Sequence, residues 1–283
     1  KTFISTNTPY NGLLLFHGTG VGKTCSSISI AENFKKVITE TNKKIIVLLN
    51  PSIKQNFIKN IFNIEKYKHG EENNQCTKDS YLKESNIDTS KKRDELKPED
   101  LDLINTKIMK IINNRYSFYG YGAFTNIIEN IYNEISQRYD DESVINSIFE
   151  RKIKQIFSNT IMIIDEVHNI KETTETKMLP KILKQVLEIA DNLKLLLLSA
   201  TPMFDKPDEI IDILNLLLIN DNRVIIDKKQ VFNNNKITVE GKDILSKKSR
   251  GYVSYLRGEH PIKFPQRLYP DIFDNPEIEE YKE

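Results

Sequence analysis

Three glycines, a lysine and a threonine stand close together near the start of the chain. Residues 16–24 read Phe-His-Gly-Thr-Gly-Val-Gly-Lys-Thr, between an apolar run and a segment with helical periodicity. Glycines between a buried strand and a helix leave backbone N–H groups pointing at one small volume, where an anion completes their hydrogen bonds. A lysine there reaches phosphate as a point charge, and a threonine hydroxyl can bind Mg²⁺. The pattern predicts a phosphate-binding loop and a nucleoside triphosphate site, formed by Gly18, Thr19, Gly20, Val21, Gly22, Lys23 and Thr24.

One position departs from the general phosphate-loop pattern. That pattern has a glycine five residues before Gly22, where this chain has His17. A second interpretation therefore stays open, in which the glycines form an ordinary turn that caps a helix. The flanking strand and helix patterns favour the phosphate loop, and we expect His17 to be a hydrogen-bonded structural residue.

A pair of adjacent carboxylates follows a second buried strand pattern. Residues 160–164 are rich in β-branched side chains, as in a strand covered on both faces, and Asp165 and Glu166 come directly after them. At the carboxyl end of such a strand, Asp165 can hold Mg²⁺ through water. Glu166 can orient and deprotonate the water that attacks the γ-phosphate. The alternative is a solvated strand end without chemistry.

Small hydroxyl residues end a third apolar run. Residues 195–198 are four leucines, and Ser199, Ala200 and Thr201 follow them. Hydroxyls at this point can connect the nucleotide site to whatever lies across the crevice. The same residues also suit an ordinary exit from a strand into a loop.

Composition limits the class of protein. The 283 residues are 39% hydrophobic, which is enough for a sizeable core, in one domain with an insertion or in two domains. The net charge of +1 gives no overall attraction to nucleic acid, so any such contact needs a local patch. No run approaches a membrane span, and we expect an intracellular protein. Two cysteines make a disulfide framework improbable and fit a reducing compartment.

The order of apolar patterns predicts an α/β fold with a doubly wound, mainly parallel sheet and helices on both faces. We expect strands at 12–17, 44–49, 116–119, 160–165 and 194–199. We expect helices at 23–38, 52–62, 123–138, 142–157, 178–191 and 207–218. The aromatic residues of 116–124 suit core packing better than stacking on bases.

Two polar stretches interrupt this pattern. Residues 65–100 are too polar to form core, which predicts a surface insertion over 65–109, partly disordered or folded as a small appended lobe. Residues 220–245 are rich in Asn and Lys, and there we expect only a loop and a short helix. The expected domains are a lobe formed by 1–64 and 110–220, the insertion, and an extension over 221–283.

The phosphate loop, Asp-Glu-Val-His at 165–168 and Ser-Ala-Thr at 199–201 resemble, in that order, the motifs of superfamily 2 helicases. Segments 14–25, 199–203, 250–259 and 264–267 are similar to helicase-like ATPases of large cytoplasmic DNA viruses, among them the small subunit of the poxvirus early transcription factor. Those ATPases vary at the position of His17. The resemblance covers 12–64 and 115–270.

The resemblance implies a RecA-like ATPase lobe that uses ATP and Mg²⁺. It implies that Thr24 and Asp165 bind the metal, and that His168, Ser199 and Thr201 couple nucleotide state to nucleic acid. Asn50, Pro51 and Ser52 stand where the family contacts nucleic acid. Expected partners are DNA or RNA, with viral RNA polymerase or a second transcription-factor subunit, in the host cytoplasm or virion and without a membrane.

The resemblance also implies that residues 221–283 lead to a second helicase lobe, which supplies arginines to the triphosphate. Three functions stay open. The first is a helicase or translocase, acting in viral transcription. The second is a transcription-factor subunit that holds promoter DNA or polymerase and uses ATP only for release. The third is a phosphate-loop ATPase unrelated to nucleic acid.

Overall fold

A six-stranded parallel sheet forms the centre of the molecule. The computed structural model describes residues 4–5, 8–87, 93–170, 178–203 and 205–256. The strand order is β3-β2-β4-β5-β1-β8, and β6 and β7 form a separate antiparallel pair. The strands are β1 (Gly12–His17), β2 (Ile45–Leu48), β3 (Tyr116–Tyr119), β4 (Ile161–Ile164), β5 (Lys194–Ser199), β6 (Phe232–Asn233), β7 (Lys236–Ile237) and β8 (Val253–Leu256).

Helices cover both faces of the sheet. Helices α1–α6 pack with one set of strand side chains, such as Leu13 and Leu15, and α7–α10 pack with the other, such as Leu14. This confirms the predicted α/β class with a doubly wound sheet. The helices are α1 (Lys23–Glu32), α2 (Lys35–Glu40), α3 (Lys54–Ile61), α4 (Ile64–Lys68), α5 (Ser80–Glu84), α6 (Pro98–Arg115), α7 (Tyr121–Ser136), α8 (Glu142–Phe157), α9 (Leu179–Ile189), α10 (Glu209–Asn220), α11 (Lys228–Val231) and α12 (Val239–Ser249).

Because the six strands are parallel, their carboxyl ends meet at one edge of the sheet. The phosphate loop follows β1 there, the segment Asn50–Ser52 follows β2, and Tyr121 follows β3. Asp165 follows β4 at the same edge, and Ser199 ends β5. The topology alone therefore collects most of the predicted site residues.

Residues 65–100 contribute to the core, so the expectation that they are too polar to do so was wrong. Tyr67 of α4 and Tyr81 and Leu82 of α5 are buried in the core cluster that also contains residues of α1 and α3. Glu32 of α1 accepts hydrogen bonds from the hydroxyls of Tyr81 (2.7 Å) and Tyr116 (2.6 Å). The buried aromatic residues are widely spaced in the sequence. Because most of their neighbours are polar, the average composition of the segment does not reveal that it contributes to the core.

The two cysteines form a disulfide, which corrects the expectation drawn from their number. Cys25 lies in the first turn of α1 and Cys76 lies between α4 and α5, with their Cα atoms 5.0 Å apart. The backbone N–H of Cys76 donates to the carbonyl of Asn60 at 3.2 Å, which holds this segment against α3 and beside α1. Tertiary packing brings together two residues that are 51 positions apart.

Predictions for the last part of the chain were incomplete. β8 and the β6–β7 pair were not predicted, and α11 and α12 replace the single short helix. The motif at 264–267, and the extension beyond residue 256, lie outside the described residues. In the part of the chain that the structure describes, no helix is long and apolar enough to cross a membrane.

Candidate nucleotide-binding site

A cavity of about 380 Å³ lies at the carboxyl edge of the sheet, between the phosphate loop and α3. Gly20, Gly22, Lys23 and Thr24 line it from one side. Asp165 and Glu166 line it from the other, although Thr24 and Asp165 are 141 positions apart in the chain. The structure therefore brings the predicted phosphate-binding and carboxylate residues into one site.

The phosphate loop has the backbone that glycine is needed for. Gly20 has φ 77° and Gly22 has φ 85°, in the left-handed region that residues with a Cβ rarely adopt. Gly22 is also the N-cap of α1, whose first turn contains no acidic residue and receives no side-chain cap. The helix N-terminus thus presents backbone N–H groups and a partial positive charge to the cavity, as an anion site requires.

Lys23 points back into its own loop. Its Nζ atom donates to the carbonyl of His17 at 3.0 Å and is 3.5 Å from the carbonyl of Gly18. The ammonium therefore lies in the concave side of the loop, where it can meet a phosphate without a large movement. Thr19 and Gly20, at the tip, are exposed, and Val21 is partly buried.

His17 is a structural residue, as predicted. Its Nε2 atom is 2.9 Å from the hydroxyl of Ser254 on the neighbouring strand β8. Burial, with a smaller contribution from Lys23, lowers the pKa of His17 below its ordinary value.

Asp165 is a buried carboxylate. Burial, reinforced by the charge of Glu166, raises its pKa to about 6, while a hydrogen bond from the Glu166 N–H (3.1 Å) and the charge of Lys23 oppose the rise. A cation beside such a group favours its ionised form. With the hydroxyl of Thr24 it supplies oxygen donors of the kind that Mg²⁺ takes beside nucleotide phosphates. The donor set therefore fits Mg²⁺.

Glu166 begins a tight turn with an unusual backbone. Its φ of 52° and ψ of 54° are left-handed, and it precedes the 3-10 turn Val167–Asn169. Burial of Val167 in the core anchors this turn. The turn directs the Glu166 carboxylate into the cavity, where a carboxylate can accept a proton from water.

A chain of polar contacts leads out of the site from Glu166. His168 Nδ1 is 3.3 Å from the Glu166 Oε2 atom and 2.9 Å from the Ser199 hydroxyl. Ser199 is fully buried, and its Oγ atom accepts a hydrogen bond from the N–H of Thr201 at 3.1 Å. The three residues predicted to couple nucleotide to nucleic acid are thus in contact, while the coupling itself stays a prediction.

The segment predicted to contact nucleic acid lies outside the cavity. Asn50, Pro51 and Ser52 are exposed, and the Asn50 side chain accepts hydrogen bonds from the Ser52 N–H (3.1 Å) and hydroxyl (2.9 Å). These bonds cap the start of the 3-10 turn that leads into α3. All three residues are exposed to solvent. Contact between this segment and nucleic acid stays a prediction.

Sequence reasoning missed several residues at the site, among them three polar ones. Asn56 and Asn60, one helical turn apart on α3, line the cavity with their amide side chains. Their spacing of four was a signal that could have been used. Tyr121 contacts the main chain of Asp165, and no local pattern announces that contact.

The model of the SNF2-related domain matches residues 3–256 of this chain. The chain belongs to that family. Two proteins of Acanthamoeba polyphaga mimivirus, each named "Putative ATP-dependent RNA helicase", are 33% and 32% identical to it over 95% and 93% of its length. A protein of African swine fever virus, named "Early transcription factor large subunit homolog", is 24% identical over 95% of the chain.

The chain spans 23%, 40% and 28% of the length of these three relatives. A solved structure, the Sulfolobus solfataricus SWI2/SNF2 ATPase core in complex with dsDNA, is 14% identical with a TM-score of 0.41, over 87% of this chain and 40% of that chain. Family membership identifies a helicase-type ATPase domain with viral relatives.

Proposed function

We propose that residues 1–64 and 110–220 form the ATP-binding lobe of a nucleic-acid-dependent ATPase, which couples ATP hydrolysis to translocation along DNA or RNA or to its remodelling. The observation that carries the proposal is the cavity in which the phosphate loop faces Asp165 and Glu166. An anion site facing a carboxylate pair suits phosphoryl transfer to water, where catalysis is mainly positioning and charge stabilisation.

Each residue has a role in this proposal. Lys23 and the N–H groups of the phosphate loop bind the β- and γ-phosphates, and Thr24 and Asp165 would hold Mg²⁺. When bound, the metal neutralises phosphate charge. Glu166 orients the attacking water and accepts its proton, which the exposed part of its carboxylate allows.

The coupling route begins at Glu166. Removal of the γ-phosphate changes the charge next to this carboxylate, and His168 contacts both Glu166 and the buried Ser199. A shift of the imidazole between these two partners would pass to Thr201, beyond β5. Asn50, Pro51 and Ser52 offer the nearby exposed surface on which we place nucleic acid.

A second candidate function is a transcription-factor subunit. The name of the African swine fever virus relative favours this candidate. Its expected partners are viral RNA polymerase or a second transcription-factor subunit. In that case ATP hydrolysis would release promoter DNA or polymerase without unwinding a duplex.

A strand-displacement assay with the full-length protein separates the two candidates. A helicase is expected to release a labelled strand from a partial duplex in the presence of ATP, and Lys23→Ala is expected to abolish the release. ATP hydrolysis that nucleic acid stimulates, without strand release, would instead support the transcription-factor subunit. Release of the strand by Lys23→Ala at the wild-type rate would contradict both.

A further inference from the structure

The side chain of Tyr121 reaches the carboxylate pair from a different part of the fold. Tyr121 is the first residue of α7, directly after β3 and Gly120. Its hydroxyl donates to the main-chain carbonyl of Asp165 and is 3.4 Å from that of Glu166. The ring is partly buried and packs against the core cluster that contains residues of α7 and α9. The tyrosine therefore contacts the two peptide groups that set the direction of the catalytic carboxylate.

The turn at Glu166 needs such support. A non-glycine residue with φ 52° is in a conformation that L-amino acids adopt at an energetic disadvantage. It persists only where surrounding contacts determine it. Rotation of either peptide group would move the carbonyls away from the Tyr121 hydroxyl, so the hydrogen bonds oppose loss of the left-handed turn.

Tyr121 itself is held by rigid elements. The N–H of Leu49 donates to the carbonyl of Tyr119 at 3.0 Å, which extends the pairing of β2 and β3 to the start of α7. The N–H of Phe124 donates to the carbonyl of Gly120 at 2.9 Å. A Cβ on Gly120 would be 3.1 Å from Pro51, so this corner is tightly packed. A side chain built on such a corner can fix a neighbouring turn.

We propose that Tyr121 is a positioning residue, whose hydroxyl holds the left-handed turn at Glu166 and so aims the Glu166 carboxylate at the water that attacks ATP. The proposal rests on the proposed ATPase function. It adds a residue from the β3–α7 corner to a site otherwise built from the phosphate loop and the end of β4.

The test compares Tyr121→Phe with wild type in the full-length protein. The change keeps the ring and removes only the hydroxyl. We expect kcat for ATP to fall about tenfold, the effect of about one hydrogen bond, with KM for ATP unchanged and a cooperative thermal unfolding transition retained. Tyr119→Phe is the matched control, because Tyr119 is on the same corner and does not contact the carboxylate pair; it is expected to keep wild-type kcat.

Two further measurements separate positioning from general damage. In a Glu166→Gln background, Tyr121→Phe is expected to give no further loss of kcat, because both changes act on the same step. Amide hydrogen exchange over 165–169 is expected to be faster in Tyr121→Phe than in wild type. Additive losses of kcat in the double variant would overturn the proposal.

The exchange measurement also keeps the two hypotheses apart. If wild type fails to hydrolyse ATP, the proposed function fails, and exchange over 165–169 still decides about Tyr121. Unchanged exchange in Tyr121→Phe would overturn the positioning role. A loss of kcat that Tyr119→Phe shares in full would overturn it as well.

Discussion

Lys23 is the single residue on which nucleotide binding depends most. We expect Lys23→Ala to weaken ATP binding by about 10- to 100-fold, because hydrogen bonds to charged groups contribute about 1.5–3 kcal/mol. The fold should survive, since the hydrogen bonds of Nζ within the described residues go to the main-chain carbonyls of His17 and Gly18. Titration with a fluorescent ATP analogue measures the affinity, and thermal unfolding checks the fold.

Lys36→Ala is the matched control for that experiment. Lys36 is on α2 and highly exposed, and among the described residues it pairs only with Glu40 in the same helix. Its replacement should leave nucleotide affinity at the wild-type value. Wild-type affinity in Lys23→Ala would show that the glycine-rich turn caps a helix and does not bind phosphate.

Replacement of Glu166 should separate binding from chemistry. Glu166→Gln keeps the shape of the side chain and removes the base, so ATP should bind with Mg²⁺ while kcat falls by roughly 10²–10⁴-fold. Glu150→Gln, on the exposed face of α8, is the control. The measurement is the affinity and kcat for ATP of both variants and wild type, determined on the same preparations. An equal loss of both in Glu166→Gln would make Glu166 a metal-binding or structural residue.

The sequence predicts those residues of the site that belong to local motifs, and it does not predict contacts between distant elements. The residue types of Lys23 and Asp165 follow from their motifs, and parallel topology brings them together. Tyr121 could not be predicted, because its contact joins the end of β3 to the end of β4. The His168–Ser199 hydrogen bond joins two residues that the resemblance groups together, and the structure adds which atoms meet.

Among the elements, the inner strands were predictable from their apolar runs, whereas of the two edge strands β3 was predicted and β8 was not. β1, β3 and β5 begin and end at the predicted residues, and β2 and β4 differ by one residue at each end. The inner strands β1, β2, β4 and β5 contain continuous apolar runs because helices cover both faces. β8 lies at the sheet edge with Tyr255 and Leu256 exposed, so it has no comparable run.

The disulfide gives a test at the level of elements. Cys76→Ser should lower the free energy of unfolding by up to about 4 kcal/mol, because the bond closes a long loop between α1 and the segment after α4. Denaturant unfolding, with and without a reductant, measures the change. Cys76 is the better site to replace, since Cys25 lines the nucleotide cavity.

Reduction provides the control for this prediction. Reduced wild type should unfold at the denaturant midpoint of Cys76→Ser, and the reductant should leave the variant unchanged. If reductant leaves wild type unchanged as well, the two thiols are not bonded in solution, and the original expectation of a reducing compartment would regain its basis.

In the molecule as a whole, one cationic side chain from the part of the chain that the structure describes, that of Lys23, lines the cavity and can offset the charge of the triphosphate. Among the described residues, no arginine lines it. An arginine from a facing lobe contributes on the order of 10³–10⁵ in rate. We therefore expect residues 1–283 alone to bind nucleotide weakly and hydrolyse it barely above background, and the full-length protein to regain that factor in a steady-state ATPase assay.

The reverse result would be informative. Rapid ATP hydrolysis by residues 1–283 would require an arginine within them, and Arg250, Arg257 and Arg267 would be the first to replace. Each would be changed to Met in turn, with Arg138→Met, at an exposed position in the turn after α7, as the control.

Steady-state ATP hydrolysis by the full-length protein, measured across a panel of single- and double-stranded DNA and RNA, tests most directly whether it is a nucleic-acid-dependent ATPase. We predict that at least one of these nucleic acids raises kcat, and that Lys23→Ala abolishes hydrolysis with and without it. Hydrolysis at the same rate with every nucleic acid and with none would contradict a nucleic-acid-dependent ATPase and favour a phosphate-loop ATPase unrelated to nucleic acid.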